Sequence, residues 1–401
     1  MSRFAGLFAD IAARAKGREA ERSLPFDEVT WLKEAGFGAL RLPVTDGGGG
    51  LSIPELFELL VELGEADANQ PQIWRNHFAF VEDRLLAGSA DHNQRWLDQV
   101  AAGAFFGGAW SEAGTVPGAK TSTRLHRSET GATVSGTKYY STGTIYSDWI
   151  SVYAAGDEDE DLIVVVDTTA PEVEIDDDWN GIGQRLTGSG TTRFLAVPVD
   201  ESSIYPFKER AHYQESFYQL ILLAALVGVG RAARTDLIEA VIARVRNYAH
   251  GLAAVPREDP QLQEVVGRVS ALVSGAEAAV QRAAAAVQLA YEHARDGLDD
   301  VPAATAAAIA TYEAQLTVTD GILSATTLIY DALGSSAVAA PTLLDRHWRN
   351  ARTLSSHNPR VYKARIIGDW YLNQASPLSV YEDAVKKAAE SKPKDLEAVS
   401  G

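Results

Sequence analysis

The middle of this chain has the sequence texture of β-strands, whereas both flanking parts read as helices. Residues Phe105–Asp200 are rich in Gly, Thr, Ser, Tyr and Val, and they contain short alternating runs such as WISVYA and TRFLAV. Clusters of turn residues, including AGDEDED and TGSGT, separate these runs. The pattern predicts a small all-β domain, either a barrel or a sandwich. A block of this kind divides the helical parts of the chain into two separate regions.

Apolar residues recur at helical spacing on both sides of the strand-rich block. Residues 1–102 carry helical stripes that end at glycines, which predicts an N-terminal helical domain, and the central β-barrel domain is placed at residues 103–205. Residues 206–376 contain four alanine-rich helical segments with short connectors, which predicts an antiparallel four-helix bundle. The charged residues 377–401 are predicted to be a frayed tail. The expected fold class is therefore α+β with several domains.

Charge and composition narrow the classes of partner. The chain of 401 residues has a formal net charge of −18, so neither a nucleic acid nor an anionic membrane surface is expected to bind it. It has no cysteine, and its histidines lack metal-ligand spacing, so no metal is predicted. The N-terminus lacks the apolar core of a signal peptide, and the longest apolar run, Leu220–Val229, is too short to span a bilayer. A cytoplasmic location is expected.

One short motif imitates a dinucleotide site. The run Gly228-Val-Gly230-Arg-Ala-Ala233 matches the G-x-G-x-x-A fingerprint. That fingerprint needs a preceding strand and a second strand that ends in an acidic residue, but the flanking sequence here is helix-forming. We therefore predict that these small residues let two helices approach closely.

The order of helical domain, β domain and helical bundle resembles the acyl-CoA dehydrogenase family. Four segments are similar to motifs of that family, and together they extend over nearly the whole chain. The resemblance implies a flavin-binding fold. The four segments are LRLPVTDGGGGLS (similar to VPEEYGGLG), FFGGAWSEAGT (A-x-TEP-x-AG), VSGTKYYSTG (NGxKxxIT) and WNGIGQRLTGSGT (MGxRGSxT).

Two departures from the family pattern bear on function. Dehydrogenases of this family carry a proton-abstracting Glu in RDARVxxIYEGT, whereas RNARTLSSHNP places Asn358 at that position. An amide cannot take a proton from a substrate carbon. The family loop QxxGGxGY, which holds the adenosine half of FAD, corresponds to residues 331–337, where the double glycine is missing. Both changes argue against acyl-CoA oxidation and favour FMN over FAD.

The chain is more similar to a branch of two-component flavin monooxygenases that includes dibenzothiophene monooxygenase and the sulfur-acquisition oxidoreductases. LDRHWRNART, NHFAFVE and the GQRLTGSGT run resemble that branch. The resemblance implies that a separate reductase supplies reduced FMN, which reacts with O2 to give a flavin C4a-hydroperoxide. This species then oxygenates sulfur or nitrogen in a small organic molecule. A homotetramer is also implied.

A helix break carries the main functional signal. Pro359 disfavours the helical conformation at Asn358, so the helix ends near Ser355, and its free backbone groups lie beside an imidazole, hydroxyls and an amide. His357 matches the C-terminal histidine of the branch and is predicted to donate to the peroxide or act as an acid–base partner. Ser356 and Asn358 are expected to contact the cofactor. A capped helix end with one bonded histidine is the alternative.

The resemblance implies two further catalytic residues. His77 matches the N-terminal histidine of the branch and is expected to face the substrate; the alternative is a buried, hydrogen-bonded core histidine. Thr142 stands where the branch has Ser or Thr beside the N5 edge of the flavin, and its hydroxyl is expected to donate to the peroxide. A threonine in an ST-turn is the alternative for Thr142.

Four more positions are expected to hold the flavin. Trp110 and Ser111 would line the isoalloxazine from the β domain, and Trp179 would shield the site or fill the core. Arg246 falls where the family has an arginine that reaches the flavin of a neighbouring subunit, so it is the candidate for the FMN phosphate.

Two other functions remain open from the sequence. One is an FAD-dependent acyl-CoA dehydrogenase whose catalytic carboxylate lies on the first helix of the bundle, where Asp236 and Glu239 are available. The other is a non-catalytic flavin-binding subunit. The retained His77, Thr142 and His357 argue against that second alternative.

Overall fold

The computed structural model describes residues 3–87, 91–112, 121–129 and 131–378, with the backbone alone for residues 91 and 92. The end of the FFGGAWSEAGT segment and nearly all of the predicted tail lie outside the described residues. Within them, a helical region precedes a sheet, and a second helical region follows it, which confirms the predicted fold class.

The N-terminal region is helical. Helix α3 begins with a reciprocal capping box, in which the Ser52 hydroxyl accepts from the Glu55 amide and the Glu55 carboxylate accepts from the Ser52 amide. Helix α4 is buried on all sides, because every residue from Gln70 to Arg84 is buried. The helices are α1 (Ala5–Glu21), α2 (Phe26–Glu34), α3 (Ile53–Ala66), α4 (Gln70–Leu86) and α5 (Asp91–Ala101).

The central region forms one sheet, whose described pairings follow the order β6-β7-β3-β2-β4-β5-β8, with β1 parallel to β4. Alternate residues of β4, including Ile150 and Val152, pack on Val164 and Val166 of β5 and build a core for the sheet itself. The strands are β1 (Phe106–Ala109), β2 (Arg124–Ser128), β3 (Gly131–Lys138), β4 (Trp149–Ala155), β5 (Asp161–Asp167), β6 (Val173–Ile175), β7 (Thr192–Val199) and β8 (Ile204–Pro206).

The C-terminal region is a helical bundle. Three long helices and a shorter one follow the predicted order, and a further short helix lies beyond the break at Pro359. They are α6 (Gln214–Ala243), α7 (Pro260–Arg295), α8 (Val301–Leu333), α9 (Asp345–Ser355) and α10 (Lys363–Asn373).

Helix α6 is the shared core of both helical regions. Its length and apolar composition would suit a membrane span, but 83% of its most apolar window is buried inside the protein. It packs against α3, α4, α7, α8 and α9. A Cβ added at Gly228 would lie 2.4 Å from the carbonyl carbon of Gly64 on α3, and one at Gly230 would lie 2.5 Å from Ile322 Cδ1 on α8. The prediction that this glycine motif serves helix packing is confirmed.

Candidate active site

The middle of α4 touches both loops that carry the predicted site residues. Arg75 Nη1 lies 2.9 Å from Nε2 of His357, which follows the C-terminus of α9. The next residue, Asn76, donates through Nδ2 to the carbonyl oxygen of Thr142 at 2.8 Å. Gly108 makes this possible, because a Cβ there would lie 2.5 Å from the Asn76 amide carbon. Helix α4 therefore gathers His357 and Thr142, which are distant in sequence, at one place.

His357 is neutral and has a fixed tautomer. A guanidinium only donates hydrogen bonds, so Nε2 of His357 accepts from Arg75 and the ring hydrogen resides on Nδ1. Nδ1 lies 3.4 Å from Asn358 Oδ1. Enclosure by surrounding protein, followed by the Arg75 charge, lowers the pKa of His357. The residue as a whole is exposed, so water offsets part of the desolvation. Nδ1–H is thus the donor of His357; its long hydrogen bond to Asn358 Oδ1 is one that a bound molecule could replace.

Asn358 is held by two other amides. Its Nδ2 donates to Oε1 of Gln219 on α6, and its carbonyl oxygen accepts from Nε2 of Gln315 on α8 at 3.3 Å. The α6 side chain that touches Asn358 is therefore an amide and not a carboxylate. At about 1.5 Å of rise per residue, Asp236 lies about 25 Å along α6 from Gln219. Asp236, and Glu239 beyond it, are therefore out of reach of Asn358, and the amides found at this position cannot serve as the base of a dehydrogenase.

Asp236 and Glu239 line a different part of the molecule. They border a cavity of about 520 Å³ between α1, α3, α6 and α9. The Asp236 carboxylate there accepts from Arg346 at 2.7 Å and from His347 Nε2 at 2.8 Å. These contacts, opposed by desolvation, lower the pKa of Asp236 to about 2. Asp236 is thus a paired, ionised carboxylate away from His357.

Thr142 begins a buried chain of hydroxyl groups. Thr142 Oγ1 lies 2.7 Å from Ser189 Oγ, Ser189 Oγ lies 2.7 Å from Thr187 Oγ1, and Thr187 Oγ1 lies 2.9 Å from the carbonyl oxygen of Gln184. A carbonyl only accepts, so Thr187 donates to it, and Ser189 then donates to Thr187. The single hydrogen of Thr142 has two acceptors, Ser189 Oγ at 2.7 Å and the Tyr140 carbonyl at 3.4 Å, and the shorter contact favours donation to Ser189. Thr142 keeps an acceptor lone pair for any outside group. The donor role expected for Thr142 does not fit this arrangement.

Trp179 anchors the far end of that chain. Its Nε1 donates to the same Gln184 carbonyl at 2.9 Å, and its ring meets Tyr140 edge-on at 5.7 Å. Gln184 is buried with φ +52°, and its amide donates to Asn350 Oδ1 on α9 at 2.6 Å. Trp179 therefore supports the loop that carries Ser189.

Trp110 is connected to His357 by contacts through two residues that the sequence analysis did not predict to belong to the site. Its ring stacks between Tyr153 and Tyr218, with both ring centroids 6.2 Å away. The Arg75 guanidinium lies 3.6 Å above the Tyr218 ring, and its Nε donates to the Tyr218 carbonyl at 3.2 Å. The contacts thus run from Trp110 through Tyr218 and Arg75 to the imidazole. Ser111, the next residue, has an exposed side chain.

His77 lies in the core. It has no exposed surface, Nε2 donates to the Gly38 carbonyl at 2.9 Å, and Nδ1 accepts from the Phe106 amide at 3.2 Å. Burial lowers its pKa to about 4. Both ring nitrogens are engaged by the backbone, so the expected substrate-facing role is corrected to the buried alternative. Ser356 is likewise local, because its hydroxyl donates to the Arg352 carbonyl at 2.9 Å.

Arg246 lies beyond the opposite end of α6, in an exposed loop. Ala243, the last residue of α6, is about 36 Å from Gln219 along the helix at about 1.5 Å per residue. Arg246 therefore cannot join the cluster of its own protomer. A contact with flavin phosphate requires Arg246 of another copy.

The sequence missed Arg75, Asn76, Tyr218 and Ser189. Arg75 and Asn76 directly precede His77. The sequence signal for them was their polarity in a helix that has no separate polar face. Tyr218 carried no signal, because its role depends on contacts with residues far away in the chain.

The cluster fits a flavin. Thr142 offers an acceptor and His357 offers a donor. The Trp110 ring, which is already stacked with Tyr153 and Tyr218, can border a flavin but does not offer it a free face. The Ser141 hydroxyl beside Thr142 is buried and has no hydrogen-bond partner among the described residues. Such an orphaned group is expected where a ligand supplies the missing partner.

Two helical regions and a sheet thus converge on a cluster whose donor, acceptor and orphaned hydroxyl suit a flavin, as in a flavoenzyme. Family models agree with this. The model described as the acyl-CoA dehydrogenase N-terminal domain matches residues 7–104, and the model of the C-terminal domain matches residues 220–359, together more than half of the chain. The chain belongs to the acyl-CoA dehydrogenase family.

Several of its relatives within that family are named as monooxygenases. A probable FMNH2-dependent monooxygenase, SfnC of Pseudomonas putida, is 26% identical over 93% of this chain and 94% of the relative. The dibenzothiophene monooxygenase of Mycolicibacterium goodii is 27% identical over 86% of this chain and 87% of the relative. Among solved structures, the methanesulfinate monooxygenase MsuC of Pseudomonas fluorescens superposes with a TM-score of 0.86 at 25% identity, covering 95% and 99% of the two chains. FMN-bound TdsC of Paenibacillus sp. A11-2 has the same TM-score at 24% identity, over 95% of this chain and all of that one.

Proposed function

We propose that this protein is a reduced-flavin-dependent monooxygenase that uses FMN and O2 to oxygenate a small organic molecule. The observation that carries the proposal is the Asn358–Gln219 amide pair, which stands beside the neutral His357 where a dehydrogenase needs a carboxylate. The relatives named for FMNH2-dependent and dibenzothiophene oxygenation support the same reaction class.

The residues of the site divide the work among them. Reduced FMN, when bound, supplies the electrons that activate O2. Thr142 would accept a hydrogen bond from an N–H of the reduced ring. Ser189 accepts the Thr142 hydrogen and so keeps a lone pair of Thr142 available for that bond. His357 would donate through Nδ1–H to oxygen. The Trp110 and Tyr218 rings would exclude water from the reacting groups.

We also propose that a separate reductase provides the reduced FMN. The one match to a dinucleotide fingerprint, Gly228 to Ala233, lies inside α6 and packs against other helices. It is therefore not a nicotinamide site. We also propose that the protein is cytoplasmic, where such a reductase would supply reduced FMN. We further propose a homotetramer in which one protomer completes the flavin site of another, and the position of Arg246 supports this arrangement.

The test is single-turnover oxygenation. The protein is mixed anaerobically with photoreduced FMN and then with ¹⁸O2, with methanesulfinate and dibenzothiophene offered as substrates in separate runs. Mass spectrometry should find one ¹⁸O atom in the product of at least one of them. An acyl-CoA that oxidises to its enoyl form at the expense of the flavin, with no ¹⁸O product, would establish the dehydrogenase alternative instead.

A further inference from the structure

Arg75 is a buried cation whose described partners are all neutral. Its exposed fraction is 5%. The guanidinium contacts the Tyr218 carbonyl, the Tyr218 ring and the His357 imidazole. Among the residues that the structure describes, no carboxylate lies within the 4.0 Å of an ion pair with it. A buried charge without a counter-charge is costly, so a partner of opposite sign is expected at this place.

Other buried arginines in the chain have that counter-charge. Arg18 pairs with Asp67 at 2.8 Å, and Arg210 pairs with Asp83 at 3.2 Å. The charge of Asp83 also favours the protonated form of Arg84, its neighbour on α4. Arg84 has no ion pair among the described residues, but the carboxylate that acts on it, Asp83, is itself buried. Arg75 differs from these arginines because it has no buried carboxylate near it among the described residues.

Lys363 is a second cation, and it lies near the loop that holds His357. Its Nζ lies 3.6 Å above the ring of Tyr312, and no carboxylate within the described parts of the chain pairs with it. Burial lowers its pKa. Tyr312 lies one turn before Gln315 on α8, and Gln315 contacts the Asn358 carbonyl. Lys363 therefore borders the loop that holds His357.

Glu215 is the carboxylate whose charge acts on both cations. Its side chain is 79% exposed, and it lies 3.4 Å from Arg210. Water screens such a carboxylate, so it offsets little of the charge of Arg75 and Lys363. A local positive field thus persists in a chain of net charge −18.

We propose that the substrate carries an anionic oxyacid group, a carboxylate or a sulfur oxyanion, which Arg75 binds with Lys363 nearby. The inference rests on the proposed monooxygenase function and adds the charge of its substrate. The planar guanidinium fork suits two oxygens of such a group. A protonated amine is disfavoured, because it would meet two uncompensated cations. Oxygenation of a basic nitrogen close to these two cations is therefore disfavoured.

The phosphate of FMN is a second anion that Arg75 could bind. We assign Arg75 to the substrate because it contacts His357, the residue expected at the reacting edge of the flavin. The phosphate of FMN is separated from that ring by the ribityl chain. Riboflavin, which lacks the phosphate, distinguishes the two anions experimentally.

The test is calorimetric titration of the protein with three probes that share a phenyl ring and differ in charge: benzenesulfinate, thioanisole and benzylamine. The wild type should prefer benzenesulfinate. Arg75→Met should weaken benzenesulfinate binding about tenfold or more, as expected for a charge-assisted hydrogen bond, and leave thioanisole binding nearly unchanged. Arg84→Met, which removes a buried cation from the same helix, is the matched control and should leave all three affinities nearly unchanged.

Three outcomes would overturn the assignment. Equal affinity of the wild type for all three probes removes the charge preference. An Arg75→Met variant that keeps its benzenesulfinate affinity removes the residue from the site. A variant that loses the preference for FMN over riboflavin, with benzenesulfinate binding intact, assigns Arg75 to the cofactor.

Two variants keep the test decisive if Arg75→Met does not fold. Arg75→Lys should retain the preference for benzenesulfinate over thioanisole at lower affinity, and Lys363→Met on the half-buried α10 should weaken benzenesulfinate alone. If neither variant alters benzenesulfinate binding, the proposal fails. The titrations need neither O2 nor reduced flavin, so charge preference without oxygenation would refute the proposed function alone.

Discussion

The hydroxyl chain makes Thr142 an acceptor, so Thr142 should affect how strongly the protein prefers reduced FMN to oxidised FMN. N5 of reduced flavin carries a hydrogen and can donate to Thr142, whereas oxidised N5 cannot. We predict that Thr142→Val lowers the preference for reduced over oxidised FMN about fivefold, which corresponds to about 1 kcal/mol for one neutral hydrogen bond. Anaerobic and aerobic fluorescence titrations measure the two dissociation constants. Thr142→Ser, which restores the hydroxyl, should behave as the wild type; a valine variant with an unchanged ratio would place the flavin edge elsewhere.

Ser189 offers an independent check of the direction of the chain. Ser189→Ala frees the Thr142 hydrogen, which can then donate to oxidised N5. The preference for reduced FMN should therefore fall although Thr142 is intact. If Ser189→Ala raises the preference instead, the donors in the chain point the opposite way.

His357 should matter for oxygenation and little for folding, because the residue is exposed and lies outside the apolar core. His357→Ala is predicted to lower single-turnover oxygenation about a hundredfold, within the range of one positioned proton donor. FMN affinity and the urea midpoint should stay near wild-type values. Full activity in the variant, or loss of its fold, would contradict the role given to this residue.

His77 should govern acid stability. Burial lowers its pKa from 6.5 to about 4. Between these two pH values His77 is protonated in the unfolded chain and neutral in the native state. Native stability is therefore complete above pH 6.5 and is lost as the pH falls towards 4. Between pH 7.5 and 4.5 the wild type should lose about 2 to 3 kcal/mol more than His77→Gln, whose amide can donate to Gly38 and accept from Phe106. Urea unfolding at both pH values measures this; parallel losses would contradict it. The lowered pKa of His357 acts in the same direction in both proteins and cancels.

At the scale of residues, the sequence predicted positions better than roles. Pro359 announced the helix end beside His357, and the similarity of VSGTKYYSTG to a family motif pointed to Thr142. The acceptor role of Thr142 depends on Ser189, and the neutral state of His357 depends on burial and then on Arg75, which lies on another helix. Such pairings arise only when the chain is folded, so local pattern cannot reveal them.

Helices were predictable where apolar spacing and capping residues agree. They were less predictable where tertiary contacts determine their bounds and burial. The start of α3 follows from Ser52, Pro54 and Glu55. The short α10 after Pro359 was not predicted, because its sequence is half-exposed and weakly patterned. Burial of α4 on all sides was also missed, since its polar residues make hydrogen bonds inside the protein instead of facing water.

Glycine at position 228 should be required by the crossing of α3 and α6. Gly228→Ala places a Cβ 2.4 Å from the Gly64 backbone, and backbone cannot move aside cheaply. We expect a loss of about 2 kcal/mol in unfolding free energy. Gly275→Ala on the exposed face of α7 meets nothing within 4 Å and is the matched control; it should gain about 0.5 to 1 kcal/mol from helix propensity. Chemical denaturation compares the two, and equal effects would show that the crossing is not tightly packed.

The whole molecule should be an oligomer with shared sites, if Arg246 binds the flavin phosphate. Arg246→Met and His357→Ala would then damage different halves of one composite site. Tetramers assembled from both variants should contain some intact sites, so the co-expressed mixture should exceed the summed activity of the separate variants. Light scattering establishes the assembly. No recovery in verified mixed tetramers would show that each protomer acts alone.

The position of α4 has a consequence for how the protein folds. Its consecutive residues bond to the loop after α9, to a sheet loop and to the N-terminal region, so none of these can detach without breaking contacts of the same helix. The site therefore forms only when the whole protein is folded, and a partly folded chain has no partly formed site. The amide hydrogens of α4 should exchange with deuterium only through complete unfolding, at the same rate as those at the centre of α6.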